Sequence, residues 1–292
     1  MRFTAWIVLL ATLTLWSGNW IVARAVRDDI SPGLATAGRL LIVAFVLAPF
    51  VARSLPAKLA SLSRRDWRVL WLLGFAGGGI HLALQWLGVH FTTATSATLY
   101  LSTAPIFILL LAAPVLGESI RARQWLGVAI SFAGVALIGM RGEVMRLSFN
   151  VGDFCALLSM VLWGSYTVFL RLRRDSLGLL EFIAMVCVLG LACMLPWLAV
   201  EYVLGMKVQL NVAGAAAVLY SALGSLLLAY AGWSYVVTRL GAARAGVTMH
   251  LMPAISVGLA ALFLGERPHW YHFAGVALIL GGVALASSRA KA

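Results

Sequence analysis

Thr12, Trp16, Asn19 and Trp20 stand three and four residues apart, the spacing that aligns side chains along one helix face, and Ser159, Trp163, Tyr166 and Thr167 repeat the pattern 147 residues on. What such groups can do is bind. Indole and phenol faces attract an ammonium group, while amide, hydroxyl, imidazole and indole N–H groups donate to a carboxylate. Further sets offer the same vocabulary: Gly74, Gly77, Gly78, His81 and Gln85; Ser221, Ser225, Tyr230, Trp233 and Ser234; Tyr100, Ser102 and Thr103; and Thr248, His250 and Met252. They suit a neutral or zwitterionic small molecule with an apolar or aromatic side chain. Bond-making chemistry finds no foothold. "LGSLL" around Ser225 lacks a Gly-x-Ser nucleophile turn, His81 and His250 have no acidic partner at suggestive spacing, and no phosphate-binding Gly-x-x-x-x-Gly-Lys-Ser/Thr loop occurs. Cys155, Cys187 and Cys193 all lie in apolar stretches and read as packing residues. The expectation is a non-enzyme with no cofactor and no metal.

Each candidate also has a duller reading. A membrane tryptophan packs or sits at an interface as readily as it lines a path, and His81, His250, Tyr100 and Gln85 are able to hydrogen-bond a neighbouring helix. Gly74, Gly77 and Gly78 read as close helix packing ahead of binding.

The elements that must position these residues are membrane helices. With 62% apolar and 11% charged residues, the chain is far from soluble composition. Ten apolar runs fall at 5–23, 34–52, 69–88, 94–116, 124–140, 152–170, 178–200, 213–237, 245–264 and 269–287. Most approach the roughly 20 residues needed to cross about 30 Å of hydrocarbon, without the alternation of a barrel strand. The first resembles a signal peptide in position, but Trp16, Trp20 and the lack of a small-x-small cleavage site make it a retained helix. With both termini assigned to the cytoplasm, 15 Lys and Arg fall inside, 6 outside, and Arg39 within a span. That is the positive-inside bias, so the net charge of +12 implies no nucleic-acid partner. Arg39 reads as snorkelling to the outer interface, an anchor in preference to a carboxylate clamp. Asp153 and Glu181, at span ends, read as solvated by the interface.

The chain also repeats. Shifted by 148 residues, Ala97–Met140 aligns without a gap: Pro105 falls on Pro253, Leu116-Gly117-Glu118 on Leu264-Gly265-Glu266, and Gly134-Val135-Ala136-Leu137 on Gly282-Val283-Ala284-Leu285. Upstream an offset of 147 pairs Trp16 with Trp163, Arg24 with Arg171 and Pro49 with Pro196. Two units follow, 1–147 and 148–292, each with five spans. An odd number inserts the second unit upside down. The expected fold class is therefore all-α, ten transmembrane helices as two inverted five-helix repeats around a central cavity, a device of secondary transporters. Pro105 and Pro253 should each bend its helix in mid-span, as paired hinges or as static kinks.

The segments "P…LGE…QWLGVAISFAGVALIG" and "P…LGE…HFAGVALILGGVALA" resemble the EamA repeat of the drug/metabolite transporter superfamily, over essentially the whole chain. Trp16, Trp163 and Arg39 also fit that family's pattern, and the branch most resembled is the YddG-type exporters of aromatic amino acids. The resemblance implies a bacterial inner-membrane transporter whose helices 1, 3, 4, 6, 8 and 9 enclose the substrate, with helices 5 and 10 peripheral. Residues 5–23 carry no acidic side chain, unlike the proton-binding first helix of the small multidrug-resistance relatives. Phosphorylated sugars would want several basic cavity residues, and only Arg39 is on offer. Facilitative export of aromatic and other neutral amino acids is the preferred expectation. Proton-coupled export through His81 or His250, and lipid or lipid-linked flipping, are the alternatives. Ala129, Ala133 and Gly134 serve packing within one bundle as readily as between two, so a monomer suffices and the oligomeric state stays open.

Overall fold

The computed structural model describes residues 2–91, 102–140, 150–173, 177–206, 211–264 and 269–287, and these are helical apart from short connections. In chain order the helices are α1 (Arg2–Ala25), α2 (Pro32–Val51), α3 (Leu55–Ala60), α4 (Arg64–Leu73), α5 (Ile80–Phe91), α6 (Ala104–Leu116), α7 (Ala122–Gly139) and α8 (Val151–Phe169). Then come α9 (Leu179–Val203), α10 (Val212–Tyr220), α11 (Ala229–Leu240), α12 (Ala242–Thr248), α13 (Leu251–Leu264) and α14 (Trp270–Ser287). A π-helical turn, Gly74–Gly78, joins α4 toward α5, and another, Ser221–Leu228, joins α10 to α11.

Local sequence starts and stops these helices. Ser31 accepts from Leu34 N with Pro32 at the first helical position of α2. Ser63 with Asp66, and Asn150 with Asp153, close reciprocal capping boxes at α4 and α8. Gly117 ends α6 in the left-handed conformation, at φ 65°.

Among the described residues, six helical runs are long and apolar enough to cross a membrane: Thr4–Ala23, Pro32–Val51, Arg64–Gly88, Val151–Leu172, Leu179–Val203 and Val212–Leu240. Three shorter apolar helices, Ala104–Leu116, Ala122–Ile138 and Trp270–Ala286, coincide with the expected fourth, fifth and tenth runs. The ninth run departs from expectation. It is two helices, α12 and α13, parted by a turn at Met249–His250.

Packing follows the internal repeat. The equivalent helices α7 and α14 lie together, and a Cβ added at Gly127 would stand 2.5 Å from the Gly282 carbonyl, one at Gly134 2.6 Å from that of Gly275. Gly127 is the repeat equivalent of Gly275, and Gly134 of Gly282, so the two helices cross antiparallel with their glycines exchanged. Lipid gives apolar helices no reason to associate, and backbone-to-backbone approach through small residues supplies the van der Waals contact instead. The equivalent pair α2 and α9 is also antiparallel, tied at both ends by carboxylates. Glu201 accepts from Ser31 Oγ at 2.7 Å, Gly33 N at 2.8 Å and Trp197 Nε1 at 2.8 Å. At the other end Glu181 accepts from Ser54 Oγ at 2.7 Å and pairs with Lys58 at 2.5 Å. Between these pairs α1 packs on α11 and α13 of the second half, and α8 packs on α5 and α6 of the first.

Candidate functional site

The two aromatic stripes meet at the centre. Trp16 of α1 and Trp163 of α8 lie edge to face with ring centroids 5.0 Å apart. Trp16 also contacts Trp233 at 5.3 Å and Tyr230 at 6.2 Å. Trp163 stacks on Tyr166 at 5.1 Å and meets Tyr230 at 5.5 Å and the His81 ring at 5.2 Å. Trp16 is 7% exposed and the other four large rings 3% or less. The two stripes therefore face one another, as expected, and among the described residues their rings pack directly against each other. Contacts of about 0.5–1.5 kcal/mol each favour ring against ring.

Polar groups stitch the cluster across the repeat. The π-helical turns hold their amides on carbonyls five residues back, as in Gly79 N to Gly74 O at 2.9 Å. Two carbonyls of these turns receive aromatic donors from the opposite half: Tyr230 O–H donates to Gly77 O at 2.6 Å, and Trp16 Nε1–H to Ser225 O at 3.0 Å. Trp163 differs from its twin, because its Nε1–H donates to Met249 Sδ, 3.1 Å away in its own half. His81 Nδ1–H donates to Ser159 O at 2.8 Å, with the Ser159 hydroxyl at 3.0 Å. One turn along, Ser221 O–H donates to Asn19 Oδ1 at 2.6 Å, and Trp233 Nε1–H to Thr167 Oγ1 at 3.2 Å.

A second layer joins the two proline-containing turns. His250 occupies the break between α12 and α13, and its Nε2–H donates to Ser102 O at 2.7 Å. Ser102 is the residue 148 positions earlier, so repeat equivalents bond each other. His250 Nδ1 then accepts from the Ser131 hydroxyl on α7, and both ring nitrogens are engaged by protein. Pro105 and Pro253 stand in the first turns of α6 and α13, where a missing N–H costs nothing, not within a bent continuous helix. The first Leu-Gly-Glu motif gains a purpose at the start of α12: Glu118 Oε2 accepts from Ala243 N at 3.3 Å, reaching across the halves.

Two copies of the EamA-like transporter pattern match this chain, at residues 3–140 and 150–288. The chain belongs to the EamA-like transporter family. Its relatives include an uncharacterized transporter of Archaeoglobus fulgidus, 28% identical over 97% of both chains. A probable terminal-alkyne amino-acid exporter of Streptantibioticus cattleyicolor is 26% identical over 96% of this chain and 92% of that one. The uncharacterized transporter YetK of Bacillus subtilis is 25% identical, over 96% and 85%. A crystal structure of another protein, 22% identical, shares the fold with a TM-score of 0.78 over 98% of this chain and 97% of that one. This EamA-like chain is thus a multi-pass membrane transporter.

Against that family frame the sequence-predicted residues divide. Trp16, His81, Trp163, Tyr166, Tyr230 and Trp233 form one cluster, and Asn19 flanks it. Ser102 and His250 form the neighbouring layer, Gln85 is half-buried on α5, and Met252 is half-buried with its carbonyl 3.3 Å from Ser17 Oγ. Tyr100 lies outside the described residues. Gly74 and Gly78 pack against Leu189 and Gly190 of α9, and Gly77 against the Tyr166 ring. Arg39 corrects its reading: it is 1% exposed and does not snorkel, because it packs between α2 and α5. Asp153 is likewise no interfacial charge but a buried cap, and Glu181 an ion-paired clamp. Sequence reasoning missed Ser131, Met249, Glu201 and Trp86. Trp86 had a signal, since it stands 147 residues before Trp233.

Proposed function

We propose that this transporter exports small neutral or zwitterionic metabolites, aromatic and other neutral amino acids foremost, by alternating access and without energy coupling of its own. The observation that carries the reading is the meeting of repeat-paired Trp16 and Trp163 at the centre, ringed by Tyr166, Tyr230, Trp233 and His81 from both halves. Aromatic faces receive an ammonium and an apolar side chain, and the surrounding donors receive a carboxylate. The antiparallel, glycine-exchanging crossing of α7 and α14 supports an inverted relation between the halves, the arrangement in which swapping the two shapes opens a midplane site to one side and then the other. The amino-acid exporter among the relatives favours the same substrate class.

Purified protein in liposomes tests this with radiolabelled phenylalanine, leucine and lysine, with and without a pH gradient. The reading expects counterflow of phenylalanine and leucine that a pH gradient does not drive uphill. Uphill accumulation would show proton coupling, and headgroup-labelled phospholipid crossing without amino-acid flux would replace the reading with a flippase.

A further inference from the structure

Arg39 is a cation deep in a membrane protein, 1% exposed, and its guanidinium is poorly answered. Its Nη2 reaches Thr36 Oγ1 at 3.4 Å and Leu82 O at 3.3 Å, both at the long end of hydrogen bonding and both to neutral acceptors. Its Nε is buried with no hydrogen-bond partner among the described residues, and no carboxylate there bonds to it. The guanidinium lies over the Trp86 ring, 5.5 Å from the centroid, and the Trp86 Nε1–H is a second buried donor without a partner. An unanswered charge in such a place costs several kcal/mol, and membrane arginines pair or mark a pathway. Symmetry does not demand the charge, since the repeat equivalent is Val186. The titratable groups around it are Tyr230, Cys187 and His81, and two of these belong to the central aromatic cluster.

We infer that Arg39 and Trp86 form the receptor for the carboxylate of the transported molecule. This rests on the amino-acid reading above and narrows it: the substrate carries a free carboxylate, which takes the unanswered guanidinium and indole N–H donors while its side chain lies among the Trp16 and Trp163 rings. Charge-assisted donation to a carboxylate is the strongest neutral-pH recognition such a pair offers.

The test compares inhibition of phenylalanine counterflow by unlabelled L-phenylalanine and by L-phenylalaninamide, which lacks the carboxylate, in wild type, Arg39→Gln, Arg39→Lys and Trp86→Phe. Wild type should prefer phenylalanine by about 10- to 100-fold, the range that losing hydrogen bonds to a charged group spans. Arg39→Gln should erase the preference, Arg39→Lys keep part of it, and Trp86→Phe, which retains the ring under the guanidinium, lower it several-fold. If Arg39→Gln does not fold, Arg39→Lys and Trp86→Phe decide. Transport with an unchanged preference in the variants overturns the receptor and leaves the exporter standing. If wild type moves no amino acid, phenylacetate binding followed by thermal shift separates the two ideas. A shift lost in the variants upholds the carboxylate site without the exporter, and no shift in wild type overturns it.

Discussion

Trp16 and Trp163 are equivalent by sequence repeat yet differ in what their N–H groups hold, and that difference can be measured. Trp16→Phe keeps a ring in the cluster but removes the donor to Ser225 O, a 3.0 Å bond between halves. Losing a buried hydrogen bond costs about 0.5–1.5 kcal/mol net, with up to about 3 kcal/mol where the stranded carbonyl stays dry. Taking about 1.4 kcal/mol, the balance between the closed cluster and its opened forms moves about tenfold. Trp163→Phe likewise keeps a ring in the cluster, but the donor it loses served the Met249 sulfur within one half, a weak acceptor, so it should move that balance about twofold or less. The reporter is Ser234→Cys, at a position 3% exposed, with Cys155, Cys187 and Cys193 replaced by alanine. Its alkylation by a small water-soluble thiol reagent in liposomes should accelerate about tenfold with Trp16→Phe and little with Trp163→Phe. Equal acceleration, or the reverse order, would refute the idea that this bond helps hold the centre shut.

Other outcomes follow from the same geometry. Glu201→Gln weakens two bonds that tie α9 to the start of α2 and a third, from Trp197, within α9, and should lower thermal stability in detergent by an amount equivalent to about 1.5–3 kcal/mol. Glu181→Gln should cost less, because the Lys58 side chain opposite is 38% exposed and water screens the pair. Gly127→Leu, placed against the Gly282 carbonyl, should destabilise by about 2 kcal/mol or more, whereas Ala129→Leu on an exposed face of α7 should be nearly neutral by the same melting assay. Pro253→Ala, in the first turn of α13, should leave the melting temperature almost unchanged while lowering the maximal rate of counterflow more than its KM, and an unaltered rate would remove the hinge role of the Met249–His250 break.

Much of this was legible because the signals were periodic. The matching stripes on the first and sixth runs, and the Leu-Gly-Glu motif at a 148-residue offset, located the aromatic cluster and the repeated family. The π-helical turns were not legible: nothing in Gly74–Gly78 or Ser221–Leu228 distinguishes five-residue from four-residue bonding, which is settled by partners such as Tyr230 and Trp16 from the other half. The prolines misled because a proline in an apolar run looks the same whether it bends a helix or begins one. Arg39 misled because a lone arginine near a span end has snorkelling as its ordinary fate, and only packing against Leu82 and Trp86 denies it. Glu118 was visible as a motif, but its cap on Ala243 required both halves to be seen together.

The central claim is that the two halves move against each other around the aromatic cluster. Cysteines replacing Glu118 and Ala243, whose polar atoms lie 3.3 Å apart across the halves, permit that movement to be stopped with a short bifunctional thiol reagent in the cysteine-free background. The account predicts that cross-linking abolishes phenylalanine counterflow, that a cleavable linker restores it on reduction, and that either single cysteine is unaffected by the reagent. Counterflow that continues at full rate through quantitatively cross-linked protein would contradict it.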